Sequence, residues 1–136
     1  MRTLRIGELA GEGRVHLETI RYYERIGLLT RPKRTASGHR SYASGDLLRL
    51  RFIRRSQALG FTLSEIKGLL ALKVTPAQPC IDVVHQIEAK ELEIKVKIAH
   101  LQAIHRTLRK MKASCEGQCF VSECPILESL NSETPS

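Results

Sequence analysis

Apolar residues recur at helical spacing in four short stretches and one long one. Residues 5–13 (RIGELAGEG) place Ile6, Leu9 and Ala10 on one face, with glycines closing the segment. Residues 17–26 (LETIRYYERI) carry Leu17, Ile20, Tyr23 and Ile26 at three-residue steps, and Gly27 stands where a helix stop belongs. Two short helices joined by a tight turn predict a helix-turn-helix. Thr19, Arg21, Tyr22 and Arg25 lie off the apolar stripe of the second helix, free to meet a partner. The periodicity then lapses over residues 30–42 (TRPKRTASGHRSY), where Pro32 and Gly38 are breakers. A two-stranded hairpin with a Ser-Gly turn is predicted there, carrying Arg31, Lys33, Arg34, His39 and Arg40. The alternative is a mobile surface loop. A third helix is predicted from an N-cap at Ser44 to Leu59, with Leu47, Leu50, Phe52 and Ile53 supplying core and Gly60 ending it. Thr62 and Glu65 have capping-box spacing and open a fourth helix, TLSEIKGLLAL.

Residues 81–112 contain neither Pro nor Gly, which predicts one helix of roughly 48 Å at about 1.5 Å per residue. Val84, Ile87, Ile94, Ile98, Leu101 and Leu108 fall at alternating steps of three and four once Glu91 and His105 join the stripe. That is a heptad seam. A helix this long has more seam than a small head can cover, so a second copy of the same helix is the simplest partner. Packing onto the third and fourth helices of the same chain is the alternative.

Charge changes the picture. Of 22 Lys and Arg and 14 Asp and Glu, residues 1–56 hold 13 and five, whereas residues 57–136 hold nine of each. The whole excess of +8 therefore sits in the first two-fifths, as expected of a polyanion-binding head on a neutral body. A basic hairpin after a helix-turn-helix reads as a wing that grips phosphates beside the DNA groove. No apolar run approaches the roughly 18 residues of a membrane span, and the opening residues lack the apolar stretch of a signal peptide. A cytoplasmic protein, without membrane partners, is expected.

The four cysteines are Cys80, Cys115, Cys119 and Cys124. In a reducing compartment they are thiols or metal ligands rather than disulfides. Cys80 opens the long helix and the other three cluster beyond its far end. One helix length keeps them apart in a single protomer. Two such helices running antiparallel would bring Cys80 of one protomer to Cys115 and Cys124 of its mate, twice per dimer. Thiolate-rich sites select Hg(II), Cd(II), Pb(II), Zn(II) or Cu(I). No C-x-x-C knuckle or redox pair is present. Three cysteines within ten largely polar residues also argue against small buried hydrophobes. The five His, scattered at 16, 39, 85, 100 and 105, read as surface or interface residues. A metalloenzyme or thiol redox enzyme would need a base beside a nucleophile, or an open metal site with an acid partner. The cysteine loop offers Glu116 and Glu123 but no His, so no enzyme is expected. A constitutive architectural DNA binder would have no need of the cysteines.

RIGELA, ETIRYYERIGLL, the Gly-His-Arg-Ser-Tyr wing and RLRFIRRSQALGFTLSEIKGLL together resemble the head of the MerR family of metal-responsive transcription regulators over residues 4–72, and the long helix and cysteine loop extend the likeness to about residue 130. The resemblance implies a mainly α fold. A winged helix-turn-helix head (1–73) is followed by a linker (74–80), then a dimerisation helix in an antiparallel coiled coil (81–112). A metal-binding loop with a short terminal helix (113–130) and a disordered tail (131–136) complete it. It also implies a homodimer on double-stranded promoter DNA, repressing without metal and activating by distorting the DNA for RNA polymerase when metal binds. Arg21, Tyr22 and Tyr23 fall on the family's recognition-helix positions, with Thr19 beside them, and Arg40 and Tyr42 on its wing. Cys80 matches the cysteine that marks sensors of divalent ions, where sensors of monovalent copper-type ions usually carry Ser. Cys115 and Cys124, followed by Pro-Ile-Leu-Glu-Ser-Leu, are most similar to the loop of the mercury sensors, which implies Hg(II) as inducer and control of a mercury-resistance operon. Cys119 departs from that pattern and stands where some zinc sensors carry His, so it is a possible fourth ligand that would suit tetrahedral Zn(II) or Cd(II). Lead sensors share the three-cysteine layout.

Overall fold

The computed structural model describes residues 3–32, 38 and 41–131. In chain order the elements are strand β1 (Thr3–Leu4), helices α1 (Ile6–Gly13) and α2 (Leu17–Arg25), strand β2 (Tyr42–Ala43), helices α3 (Ser44–Ala58), α4 (Leu63–Lys73) and α5 (Ile81–Ala113), a 3-10 turn (Val121–Glu123) and helix α6 (Pro125–Leu130). The chain divides into two units, one ending at His85 and one beginning at Gln86.

The first unit is built on local signals that the chain order makes cooperative. The Arg5 amide donates to the Glu8 carboxylate (3.1 Å) and starts α1. The glycines were expected to close α1, but the left-handed residue that stops it is Arg14 (φ 56°), and the Val15 amide reaches back to the Ala10 carbonyl (3.0 Å). Gly13 stays helical because its missing Cβ leaves room for Leu50. Gly27 (φ 82°) ends α2 as expected, with the Leu28 amide donating to Tyr23 O (2.9 Å). The N-cap expected at Ser44 lies one residue earlier: the Ala43 amide donates to Asp46 (2.8 Å), because Asp46 supplies the acceptor three residues on. At α4 the capping box is reciprocal, Glu65 N–H to Thr62 Oγ1 (3.2 Å) and Thr62 N–H to Glu65 Oε1 (2.8 Å).

Leu9, Ile20, Leu28, Leu50, Ile53 and Ile66 are fully buried at the centre of one core, whose members all lie between Leu4 and Leu70. Phe52, expected within it, is only half-buried at its edge, beneath the Lys73 ammonium (5.1 Å from the ring centroid). Polar ties lock α2 onto the rest. The Tyr23 hydroxyl donates to Gln57 Oε1 (2.9 Å), Arg49 Nε donates to the Leu28 carbonyl (2.7 Å), and Lys67 Nζ donates to the Ile26 carbonyl (3.4 Å).

The described strands pair antiparallel, Thr3 opposite Ala43 and Leu4 opposite Tyr42. The partner of β2 is thus the N-terminal strand, an element that the hydrophobic pattern did not predict. Lys33, Arg34, His39 and Arg40 of the expected wing lie outside the described residues.

Helix α5, most of which belongs to the second unit, is unbroken, with Lys90–Glu93 (2.6 Å) and Glu93–Lys97 (3.3 Å) ion pairs along it. The flanking ammonium groups hold the Glu93 carboxyl below its ordinary pKa. Val84, Ile87, Ile98, Leu101 and Leu108 of the heptad seam are exposed, and Ile94 is half-buried. None of the described helices is long and apolar enough to cross a membrane.

Candidate nucleic-acid interface and thiolate centre

Helix α2 turns Ile20, Tyr23 and Glu24 into the core, and its opposite face is exposed. That face carries Arg21, Tyr22 and Arg25, with Thr19 half-buried beside them. Arg21 Nη1 rests 3.1 Å from the exposed Glu18 carboxylate, a contact that water screens and that a phosphate would readily displace. The Arg25 guanidinium lies over the Tyr22 ring, 5.7 Å from its centroid. This exposed basic and aromatic set suits a duplex groove.

Tyr23 and Tyr42 differ from the rest of the expected DNA-contacting set. Tyr23 is buried and bonded to Gln57; Tyr42 is only 1% exposed and donates its hydroxyl to the buried Glu24 carboxylate (3.1 Å). In this structure neither ring is a contact surface. Tyr42 instead fastens β2 to the underside of α2, so it positions the exposed face of that helix. The aromatic type gave no sign of this, because a Tyr serves either role. Arg40 lies outside the described residues.

The thiols assemble where α5 ends. The Ser114 amide closes on the Lys110 carbonyl (3.0 Å) and the Cys115 amide on Lys112 (3.4 Å). Gly117, at φ 84°, then reverses the chain in a conformation that a side chain would strain. The reversal returns Cys119 to Cys115, Sγ to Sγ 3.2 Å. The 3-10 turn delivers Cys124 immediately before α6, its amide on Val121 O (3.3 Å). The sulfurs of Cys115, Cys119 and Cys124 all lie within 4.8 Å of one another, Cys115 and Cys124 half-buried and Cys119 exposed. Cys115 and Cys119 line an open groove together with Glu116 and Glu123.

The electrostatics favour a thiolate here. The Gly117 amide, and then the Cys119 thiol, hydrogen-bond to Cys115 and hold its pKa below the ordinary thiol value; the Cys119 thiol, whose proton serves that bond, is held above it. The geometry also fits an ion. Trigonal coordination with metal–sulfur bonds of about 2.3 Å places sulfurs roughly 4.0 Å apart. Small adjustments of this cluster reach that spacing.

Cys80 is exposed at the entry to α5, where its carbonyl accepts the Val83 and Val84 amides (3.0 and 3.1 Å). Among the described residues it is not part of the cluster, and no His joins it. His16, His85, His100 and His105 are exposed, as expected. Cys119, which sequence spacing left as a possible ligand, is the nearest thiol to Cys115; the Gly in C-E-G-Q-C was the available signal.

Residues 4–73 match the family described as MerR HTH family regulatory protein, and residues 47–111 match the one described as MerR, DNA binding. The chain is 44% identical over 126 residues to a mercuric resistance operon regulatory protein of Bacillus cereus, covering 93% of this chain and 96% of that one. It is 38% identical over 127 residues to heavy metal-dependent transcription regulator 2 of Rhizobium meliloti (strain 1021), covering 93% and 86%. The structure of transcription regulator PbrR691 from Ralstonia metallidurans CH34 in complex with lead(II) superposes with a TM-score of 0.83 at 38% identity, over 93% of this chain and 98% of that one. The exposed basic face of α2, the thiol cluster beyond α5 and these likenesses have one explanation: the chain belongs to the MerR family of helix-turn-helix regulators, which are DNA-binding transcription factors and not enzymes.

Proposed function

We propose that this protein is a cytoplasmic regulator that binds a promoter operator as a homodimer, represses without metal, and activates transcription by RNA polymerase when Hg(II) binds and the DNA is distorted, controlling a mercury-resistance operon. The observation that carries the metal-responsive part is the cluster of three thiols. Soft thiolate donors suit Hg(II), and the Bacillus cereus relative is itself a mercuric resistance operon regulator. Cys80 of one protomer, with Cys115 and Cys124 of the other, is the proposed inducer site. The exposed α5 seam, together with exposed Phe120, Val121, Leu127 and Leu130, supports the dimer, since so much apolar surface is uncommon on a lone chain. Arg21, Tyr22 and Thr19 on α2, and Arg40 on the wing, are the proposed DNA contacts, with Tyr23 and Tyr42 as supports.

One observation favours a second reading. Cys119 lies close enough to Cys115 to act as a further thiolate, and four sulfurs suit tetrahedral Zn(II) or Cd(II); the lead(II) complex of PbrR691 adds Pb(II). The deciding experiment titrates the reduced dimer on its promoter with Hg(II), Cd(II), Pb(II) and Zn(II) in competition, reading promoter opening with RNA polymerase. Opening at the lowest concentration by Hg(II) upholds the first reading, and by another ion the second. Opening that ignores all four ions would overturn both.

A further inference from the structure

We propose that Arg14, in the turn between α1 and α2, is a phosphate contact that clamps each chain to the DNA backbone whatever the base sequence. The proposal rests on the reading of the protein as a DNA-binding regulator, and it adds a residue that neither the exposed face of α2 nor the wing contains.

Among the described residues, Arg14 is the only one besides glycine at positive φ (56°). The contact of Gly13 with Leu50 fixes where the left-handed position falls, but not which side chain occupies it. Glycine adopts that conformation freely, whereas a Cβ crowds the following carbonyl oxygen. A short Asn or Asp can offset part of the strain by bonding locally; a long arginine cannot. Nor does the rest of the chain offset it. Arg14 is exposed, and among the described residues its side chain makes no hydrogen bond, ion pair or ring contact. A local preference broken with no contact to compensate points to a partner outside the chain. Position and charge identify that partner. Arg14 lies three residues before Leu17, which opens α2, and the exposed face of that helix carries Arg21, Tyr22 and Arg25. When the second helix of a helix-turn-helix enters the major groove, its N-terminal residues face the bases. The turn leading into it then stands at the rim of the groove, where the phosphates run. A guanidinium there can pair with a phosphate through two parallel N–H···O bonds. A phosphate carries no sequence information, so Arg14 strengthens binding to operator and other DNA alike, leaving discrimination to α2.

The test measures binding of the full-length reduced protein to its promoter fragment and to an unrelated duplex of the same length, by fluorescence anisotropy over a range of KCl concentrations. Arg14→Gly, which suits the left-handed backbone, is expected to reduce the salt slope on both duplexes by about 0.9 per bound chain, and hence to weaken both by about 8-fold per chain at about 0.1 M salt. Arg14→Asn is expected to match it, and Arg14→Lys to keep the parent slope. Arg109→Ala, which removes an exposed cation from α5, controls for net charge and is expected to leave the slope unchanged. Neutral methylphosphonates, placed one at a time along the promoter fragment, are expected to reveal one position per half-site that weakens the parent but not Arg14→Gly. If Arg14→Gly keeps the parent slope, or if Arg109→Ala lowers it as much, the phosphate contact is overturned. Weakening confined to the promoter fragment would make Arg14 a base reader and also overturn the clamp. A parent protein that binds neither duplex sinks the DNA-binding reading itself. A parent that binds both, with an Arg14→Gly slope unchanged, sinks the role of Arg14 alone.

Discussion

A single methyl group at Gly13 tests how α1 and α3 hold the helix-turn-helix. Gly13 is the buried last residue of α1, and a Cβ there would collide with Leu50 Cδ2 and stand 3.1 Å from Leu50 Cγ. Leu50 is completely buried, so its side chain has no solvent to swing into. Overpacking of this kind costs about 1–3 kcal/mol. Removing a helical glycine returns about 0.5–1 kcal/mol. Gly13→Ala is therefore expected to destabilise the head by about 1–2 kcal/mol, which for a domain of this size lowers Tm by about 4–16 °C. Gly11→Ala is the internal control, because a Cβ on Gly11 meets nothing within 4 Å; it should stabilise by about 0.5–1 kcal/mol. Leu50→Ala removes the colliding atoms at a cost of about 2–5 kcal/mol. Adding Gly13→Ala to that background should cost nothing, a coupling of at least about 1 kcal/mol. Urea unfolding followed by circular dichroism supplies all four values. If Gly13→Ala raises stability as Gly11→Ala does, or if the cycle shows no coupling, α1 and α3 do not pack closely through Gly13 and Leu50.

Three further outcomes follow from particular residues. Arg14→Gly should raise stability by about 0.5–1 kcal/mol, since Arg14 holds a left-handed conformation that glycine adopts freely, and thermal melts will show it. Arg21→Ala should weaken operator binding by about 1–3 kcal/mol if it reads a base edge, and gel-shift titrations against a mutated half-site will show whether discrimination falls with affinity. Ile98→Asp should dissociate the dimer by placing an unpaired charge in the seam, read by light scattering; a variant as dimeric as the parent would contradict the seam.

What was legible in the sequence was what short range determines. Thr62 and Glu65 sit three residues apart and satisfy each other, so α4 begins where the pattern says. Gly27 takes the positive φ expected of a helix stop, and the Pro- and Gly-free run yields one long α5. The misplacements needed distant partners. Gly13 remains helical because of Leu50, thirty-seven positions on, which passes the left-handed position to Arg14. Tyr42 is drawn inward by Glu24, and β2 is paired by Thr3–Leu4; a two-residue strand has no periodicity to read. The candidate ligands were legible by type, but the place of Cys119 beside Cys115 depended on the backbone at Gly117.

The distribution of burial also says where metal can act. Every buried apolar side chain among the described residues lies between Leu4 and Leu70, and every cysteine lies outside that range. The head therefore folds on its own core, and replacing the thiols removes none of its packing. By contrast, α5 carries exposed Ile87, Ile98, Leu101 and Leu108 and the loop carries exposed Phe120 and Val121. On the proposed reading that surface is covered by a second copy, and a ligand bound there acts on the geometry of that pair rather than on the fold of the head. Moving a dimer from about 1:99 to 99:1 between two such geometries requires an ion that prefers one by about 5.5 kcal/mol. Soft-metal–thiolate bonding acts at that scale, whereas an exposed ion pair such as Lys97–Glu93 is screened by water and far weaker. Within this chain the thiol cluster is thus the feature whose chemistry suits the proposed switch, and it lies outside the core on which the exposed face of α2 is built.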